Sequence, residues 1–73
     1  MTKLNKLNIN ETATITSLEF TGIMRKRLLD LGIAPNTKIT ALYKSPFGSP
    51  TAYFIKGSTI AIRDSDAEKI IVQ

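Results

Sequence analysis

The sequence contains no cysteine and no histidine. Without cysteine the chain can form no disulfide, no thiolate metal site and no thiol nucleophile. Without histidine it lacks the commonest general base and the commonest transition-metal ligand, so it can carry neither a Ser-His-Asp triad nor a zinc hydrolase site. We therefore predict a protein that is not an enzyme, with no catalytic residues, no metal site and no cofactor.

Long hydrophobic runs are missing as well. No apolar stretch approaches the roughly 18 to 20 residues that cross a bilayer, and residues 1–6 are not followed by the apolar region of a signal peptide. We expect a cytoplasmic chain without direct membrane insertion. The sequence also lacks a Gly-x-x-x-x-Gly-Lys-Ser/Thr loop, so an effect on nucleotide turnover would have to act on a partner.

The chain has 73 residues, of which 42% are hydrophobic, and this is enough for one small core but too little for two. We predict a single domain over residues 1–73. Ten basic and six acidic residues give a net charge of +4, which favours an acidic partner without naming one.

Residues 12–16 alternate small or β-branched residues with threonines, which predicts a strand with one face on a core. Leu18 falls on the opposite parity to Ala13 and Ile15. We therefore expect a bulge or a strand exit after Ser17.

Helical spacing follows between residues 21 and 31. Its apolar positions form a wide stripe, which predicts a face that packs on the core: Ile23, Met24, Leu28, Leu29 and Leu31. Thr21 is a suitable N-cap residue. Gly32 suits the left-handed position after the helix, with Ile33 as the accompanying hydrophobic contact and Pro35 preventing continuation.

Residues 37–44 alternate again and place Ile39, Ala41 and Tyr43 on one face of a predicted strand. Two prolines and a glycine then make residues 45–50 a predicted loop.

Two further strands are predicted at residues 51–56 and 58–63, joined by a type II′ turn centred on Gly57 and Ser58. Ser65 begins capping-box spacing before a short helical turn and a final strand. The pattern as a whole predicts a mainly β fold, a small SH3-like barrel of about five strands with one inserted helix. We expect its core to contain five aliphatic residues: Leu28, Leu31, Ile39, Ile60 and Ile62.

The run at residues 27–35, Arg-Leu-Leu-Asp-Leu-Gly-Ile-Ala-Pro, resembles the ferrous iron transport protein A (FeoA) family. The loop with prolines and glycine, the Ile-Ala-Ile-Arg at residues 60–63 and Ala67 three residues before the Ile-Ile-Val at residues 70–72 extend the resemblance over nearly the whole chain. Asn36 stands where the family usually has glycine, and asparagine tolerates the left-handed conformation.

The resemblance implies an SH3-like barrel of the cytosol that assists a membrane GTPase, the ferrous iron permease FeoB, and a family-level association with transition metal ions. The same barrel is similar to the C-terminal domain of iron-dependent repressors. No DNA-binding helix-turn-helix precedes it in this sequence, which favours a free-standing module.

Arg25, Lys26 and Arg27 form the densest charge cluster, which a helix could present to an acidic partner. The alternative is a solvated helix face with a Lys26–Asp30 ion pair. Arg27 has a further structural alternative, a bond to a strand carbonyl.

Pro46 and Phe47 are candidate partner contacts at an apolar loop tip, with folding of Phe47 over the barrel mouth as the alternative. We expect most of the four aromatic residues Tyr43, Phe47, Tyr53 and Phe54 to lie in the core. A small basic nucleic-acid-binding barrel is the competing function, although the dispersed lysines argue against nucleic acid as a partner. A weak homo-oligomer is possible on this sequence.

Overall fold

The computed structural model describes residues 1–73 and contains six strands, two α-helices and a 3₁₀ turn. The elements in chain order are β1 (Thr2–Lys3), the 3₁₀ turn (Leu4–Lys6), β2 (Thr12–Leu18), α1 (Gly22–Asp30), β3 (Lys38–Lys44), β4 (Thr51–Ile55), β5 (Ser58–Ile62), α2 (Asp64–Ala67) and β6 (Ile70–Val72). None of the helices has the length and apolar character that a membrane span requires. The predicted mainly β architecture with an inserted helix is confirmed, and β1 is a strand that the sequence pattern did not predict.

The six strands form one antiparallel sheet in the order β1-β6-β2-β3-β4-β5. The last strand, β6, lies between β1 and β2, so the first and last strands of the chain pair with each other at one edge of the sheet. Helix α1 occupies the connection between β2 and β3. The short β1 and the longer β5 are the two edges of the sheet.

The hydrophobic core draws residues from every strand except β1, from both helices and from the segments around them. Its buried members are Leu4, Leu7, Ile15, Leu18, Leu28, Ile33, Ile39, Ala41, Tyr53, Ile55, Ile62, Ala67, Ile70 and Val72. Of the five predicted core residues, Leu28, Ile39 and Ile62 are buried, and Ile60 is half-buried against this cluster.

Leu31 is the exception, because 56% of its surface is exposed, and its prediction as a core residue is wrong. The helix ends in a Schellman turn, in which the N–H of Ile33 donates to the carbonyl of Leu28 at 2.9 Å and the N–H of Gly32 donates to that of Leu29 at 3.0 Å. Gly32 supplies the left-handed conformation with a φ of 90°. This turn brings Ile33 into the core next to Leu28, and Leu31 stays outside.

A bulge interrupts the pairing of β2 with β6 between Ile15 and Ser17. The hydroxyl of the extra residue, Thr16, donates to the carbonyl of Ile71 at 3.2 Å. The bulge explains how Ile15 and Leu18 are both buried although they have opposite parity. The predicted irregularity therefore exists, one residue earlier than expected.

A second bulge lies between Ala41 and Tyr43 in the pairing of β3 with β4. It ends the alternation that buries Ile39 and Ala41, so Tyr43 is exposed instead of sharing their face. The expectation that most of the four aromatic residues lie in the core is also wrong. Tyr53 is buried, whereas Tyr43, Phe47 and Phe54 are exposed.

The β4–β5 hairpin turns one residue earlier than the sequence suggested. Ile55 pairs with Ser58, so the two central residues are Lys56 and Gly57, both with positive φ (48° and 80°). Positive φ at both positions defines a type I′ turn, whose twist matches that of the strands. The observed register keeps Tyr53 and Ile55 on the core face, whereas the predicted Gly57-Ser58 turn would shift it.

Both predicted caps need revision. Thr21 has the extended backbone of an N-cap residue, but its side chain makes no capping hydrogen bond. Helix α2 begins at Asp64 with Arg63 in the N-cap position, so Ser65 lies inside the helix and is not its cap.

Candidate partner-binding surfaces

The predicted site residues divide into two groups, one on helix α1 and one in the loop between β3 and β4. The surface shows no ligand-sized pocket, and no three acidic side chains come together as a possible metal site. The chemistry that these surfaces offer is therefore that of exposed apolar and charged side chains.

The three cations of helix α1 have different environments. The Nη1 of Arg25 donates to the carbonyl of Leu18 at 3.3 Å, so this partly buried side chain ties the helix to the end of β2. Lys26 and Arg27 are exposed and form no ion pair, and the Lys26–Asp30 pair considered from the sequence does not form. The strand-carbonyl contact considered for Arg27 is thus made by Arg25, and two free cations remain on the surface.

Apolar side chains accompany these two cations on the outer side of the helix. Ile23 is 81% exposed, and it lies four residues before Arg27, with Leu31 four residues after it. Residues at this spacing share one side of a helix. Ile23, Lys26, Arg27 and Leu31 are hereafter called the α1 surface. Sequence reasoning missed its apolar members because the helix has more apolar residues than one buried face holds.

The loop at residues 45–50 presents Phe47 almost completely to solvent, with 95% of its surface exposed, and Pro46 is exposed beside it. The alternative in which Phe47 folds over the barrel mouth is therefore wrong. Hydrogen bonds inside the loop fix its shape: the Ser45 hydroxyl donates to the carbonyl of Ser49 at 2.7 Å, and the N–H of Gly48 donates to that of Ser45 at 2.9 Å.

The same loop is also attached to the rest of the fold. The N–H of Asp64 donates to the Ser49 hydroxyl at 3.0 Å, which joins the loop to the start of α2. An exposed aromatic ring on a loop with this many internal bonds loses little conformational entropy when a partner covers it. Pro46 and Phe47 are hereafter called the loop tip.

The structure does not bring the α1 surface and the loop tip together. A Cβ atom at Gly32, just after α1, would lie 3.3 Å from Cδ of Lys56, so the end of the helix is next to the β4–β5 turn. The loop joins the other end of β4, where Lys44 pairs with Thr51. Since a strand rises by about 3.3 Å per residue, the two ends of β4 are roughly 13 Å apart.

Tyr53 is a titratable side chain of the core with a raised pKa. Burial raises the pKa of its phenol, a hydrogen bond with Thr51 lowers it, and the negative charge of Asp64 raises it further. Burial has the largest of these effects, so the neutral phenol is favoured inside the fold. This side chain lies in the core and offers nothing to a partner.

The comparisons with known proteins agree on one family. The model of the FeoA domain matches residues 2–73. A fusion protein of Fe(2+) transport protein A with the Fe(2+) transporter FeoB, from Porphyromonas gingivalis, is 32% identical over 71 residues, which are 97% of this chain and 8% of the fusion protein. The solution structure of iron(II) transport protein A from Clostridium thermocellum superposes with a TM-score of 0.92 at 30% identity, over 97% of this chain and 44% of that one.

Two more distant structures bear on the fold alone. FeoA of Stenotrophomonas maltophilia, described as an SH3 domain protein and solved with zinc, has a TM-score of 0.85 at 22% identity over 100% of this chain and 91% of that one. A manganese-dependent transcriptional repressor has a TM-score of 0.83 at 18% identity over 96% of this chain and 39% of its own. The predicted SH3-like fold is confirmed by these similarities.

Proposed function

Because this chain belongs to the FeoA domain family, we propose that it is a non-enzymatic accessory protein of ferrous iron uptake that acts in the cytoplasm by docking on the ferrous iron permease FeoB. The fusion of a FeoA segment to FeoB in one relative supports this choice of partner, because domains joined in one chain commonly act on one another. This chain spans only 8% of that relative, so the proposal concerns contact with the permease and not transport itself.

The observation that carries the proposal is the exposure of Ile23 beside two cations that have no partner in the fold. An apolar side chain gains free energy when it leaves water, at roughly 25 cal/mol per Å² of buried area. Nothing in the fold covers this one. An acidic, partly apolar surface on the cytoplasmic part of FeoB would bury Ile23 and pair with Lys26 and Arg27.

The loop tip is the second proposed contact. Phe47 has the properties of an interface anchor, since aromatic residues dominate binding energies when they enter a pocket on the partner. Because the C-terminal end of α1 and the loop tip lie at opposite ends of β4, a partner that covers both surfaces must reach along the length of that strand.

Retention on the immobilised soluble cytoplasmic part of FeoB tests the α1 surface. The variant Lys26→Glu/Arg27→Glu changes the net charge from +4 to 0 and leaves the Arg25 bond to Leu18 in place. The matched control Lys6→Glu/Lys38→Glu makes the same charge change at exposed positions outside both proposed contacts. We expect the helix variant to bind roughly tenfold more weakly or worse, a loss of about 1.4 kcal/mol, and the control to bind nearly as well as the wild type.

Each outcome has a definite meaning. Equal losses in both double variants would indicate general charge attraction and would refute the role of the α1 surface. Unchanged binding of both would exclude the helix cations as contacts. If the wild type is not retained at all, the soluble part of FeoB is not a sufficient partner.

The loop tip is tested in the same assay with Phe47→Ala, and Phe54→Ala is its control because Phe54 is an exposed phenylalanine on the sheet. Only the Phe47 variant should lose retention. An excess of single-stranded RNA serves as competitor for the alternative function, which the exposed rings of Tyr43 and Phe54 favour. We expect no displacement by RNA, whereas salt-sensitive displacement would support the nucleic-acid alternative.

A further inference from the structure

The edge strand β5 differs from the other edge of the sheet in length and in protection. Edge strand β1 has two residues, and Lys3 in it forms an ion pair with Glu68, with Nζ and Oε1 3.9 Å apart. Strand β5 has five residues and no neighbour on its outer side. It is therefore the longer row of unpaired backbone groups on this molecule.

Strand β5 lacks the usual devices that prevent an edge from pairing. Its sequence, Ser-Thr-Ile-Ala-Ile at residues 58–62, contains no proline and no charge. Its pairing with β4 runs over five consecutive residues without a bulge, so the strand is regular throughout. Ser58, Thr59 and Ala61 are exposed. Natural edge strands of this length normally carry a lysine, a proline or a bulge, and an edge without them accepts another strand.

The turn determines which backbone groups face outward. In a type I′ hairpin Ile55 and Ser58 flank the turn as a hydrogen-bonded pair, and such pairs alternate with non-bonded ones along an antiparallel ladder. By this alternation Ser58, Ile60 and Ile62 bond to β4. The N–H and C=O groups of Thr59 and Ala61 face the open edge, and no turn or loop bond elsewhere in the chain uses them.

We propose that β5 pairs antiparallel with β5 of a second copy of this chain, about a two-fold axis at Ile60. In this register Thr59 of each copy lies opposite Ala61 of the other, and the four outward N–H groups and carbonyls of the two copies make four reciprocal hydrogen bonds. The half-buried Ile60 side chains meet at the axis. The two sheets then continue into one another across the interface.

The charged side chains at the ends of the two β5 strands are compatible with this register. Beyond the ends of the strand, Arg63 lies opposite Gly57 of the second copy and Asp64 lies opposite Lys56, so no like charges face each other directly. A pair of five-residue strands buries less surface than the roughly 1,200–2,000 Å² of a standard stable interface. The dimer is accordingly reversible and forms at high protein concentration.

Sedimentation of the full chain over a micromolar to millimolar series, together with amide hydrogen exchange, tests the proposal. We expect reversible dimerisation, with slower exchange at Thr59 and Ala61 as concentration rises. Thr59→Pro removes one outward N–H from each copy without touching the β4–β5 bonds, because proline is tolerated where an edge N–H faces solvent. Loss of two hydrogen bonds from the dimer should raise its dissociation constant roughly tenfold or more.

The control Thr59→Val keeps the N–H and should dimerise like the wild type. Ala61→Pro repeats the test at the second position, and circular dichroism verifies that each variant is folded. A chain that stays monomeric at millimolar concentration, or a dimer that survives both proline substitutions, overturns the proposal. So does protection of Thr59 and Ala61 only after addition of the soluble part of FeoB, since the edge would then take a strand of that partner.

Discussion

Two leucines three residues apart, Leu28 in helix α1 and Leu31 directly after its last residue, should respond very differently to the same substitution. Leu28 is 6% exposed and lies in the core beside Ile33, whereas Leu31 is more than half exposed at the end of the helix. Replacing a buried leucine by alanine costs about 2–5 kcal/mol, because apolar transfer energy is lost and a cavity remains. Replacing an exposed one changes stability by about 0.5 kcal/mol or less.

For a domain of this length, about 1 kcal/mol shifts the melting temperature by roughly 4–8 °C. Leu28→Ala should therefore lower the melting temperature by at least about 8 °C. With a total stability near the low end of the usual 5–15 kcal/mol, the largest of these losses would leave about half of the chains unfolded. Leu31→Ala should melt within about 4 °C of the wild type. Thermal denaturation followed by circular dichroism measures both. Similar shifts in the two variants would refute the assignment of Leu28 to the core side of α1 and Leu31 to its outer side.

Two further predictions concern the turn after α1 and the buried phenol. Gly32→Ala places a Cβ 3.3 Å from Cδ of Lys56 at a φ of 90°, so it should lower the free energy of unfolding by about 1–2 kcal/mol in chemical denaturation. The control Gly48→Ala, where φ is 85° and the space is open, should cost no more than this. A larger loss at Gly48 would contradict the close approach at Gly32. Burial raises the pKa of Tyr53 in the folded state above the ordinary value near 10, so its contribution to stability is complete below about pH 10 and is lost as pH rises through the raised pKa. Denaturation midpoints above pH 10 should fall less in Tyr53→Phe than in the wild type or in the control Tyr43→Phe, and an unchanged slope in Tyr53→Phe would contradict the assignment.

The parts of the fold that the sequence predicted are those with local causes. The end of α1 follows from Gly32, which alone can take the left-handed conformation without strain, and from the apolar Ile33 after it. Asn36 has a φ of 69°, as its tolerance of that region suggested. Alternation likewise located β2, β3 and β5 to within one or two residues, and an apolar run located β4.

The parts that the sequence did not predict depend on pairing between distant segments. Strand β1 has two residues and exists only because β6 lies beside it. The bulge before Tyr43 and the turn at Lys56 and Gly57 are set by the register of β4 against its two neighbours. After such an irregularity, the side chains of a strand point to the opposite face from the one that simple alternation predicts. The local pattern of hydrophobic residues contains no sign of this change.

Helix α1 shows how the residues proposed to bind a partner could have been separated from the core ones. A helix that packs one side on a core buries a stripe about 100° wide, and residues six positions apart, such as Ile23 and Leu29, lie about 120° apart around the axis. Ile23 and Leu29 therefore cannot both lie in the stripe that contains Leu28. The helix carries more apolar surface than its fold can bury, and folding stability gives no reason for the excess. The exposed apolar side chains lie beside Lys26 and Arg27, which also have no partner in the fold. Contact with another protein is the simplest physical reason for both the exposed apolar surface and the unpaired cations.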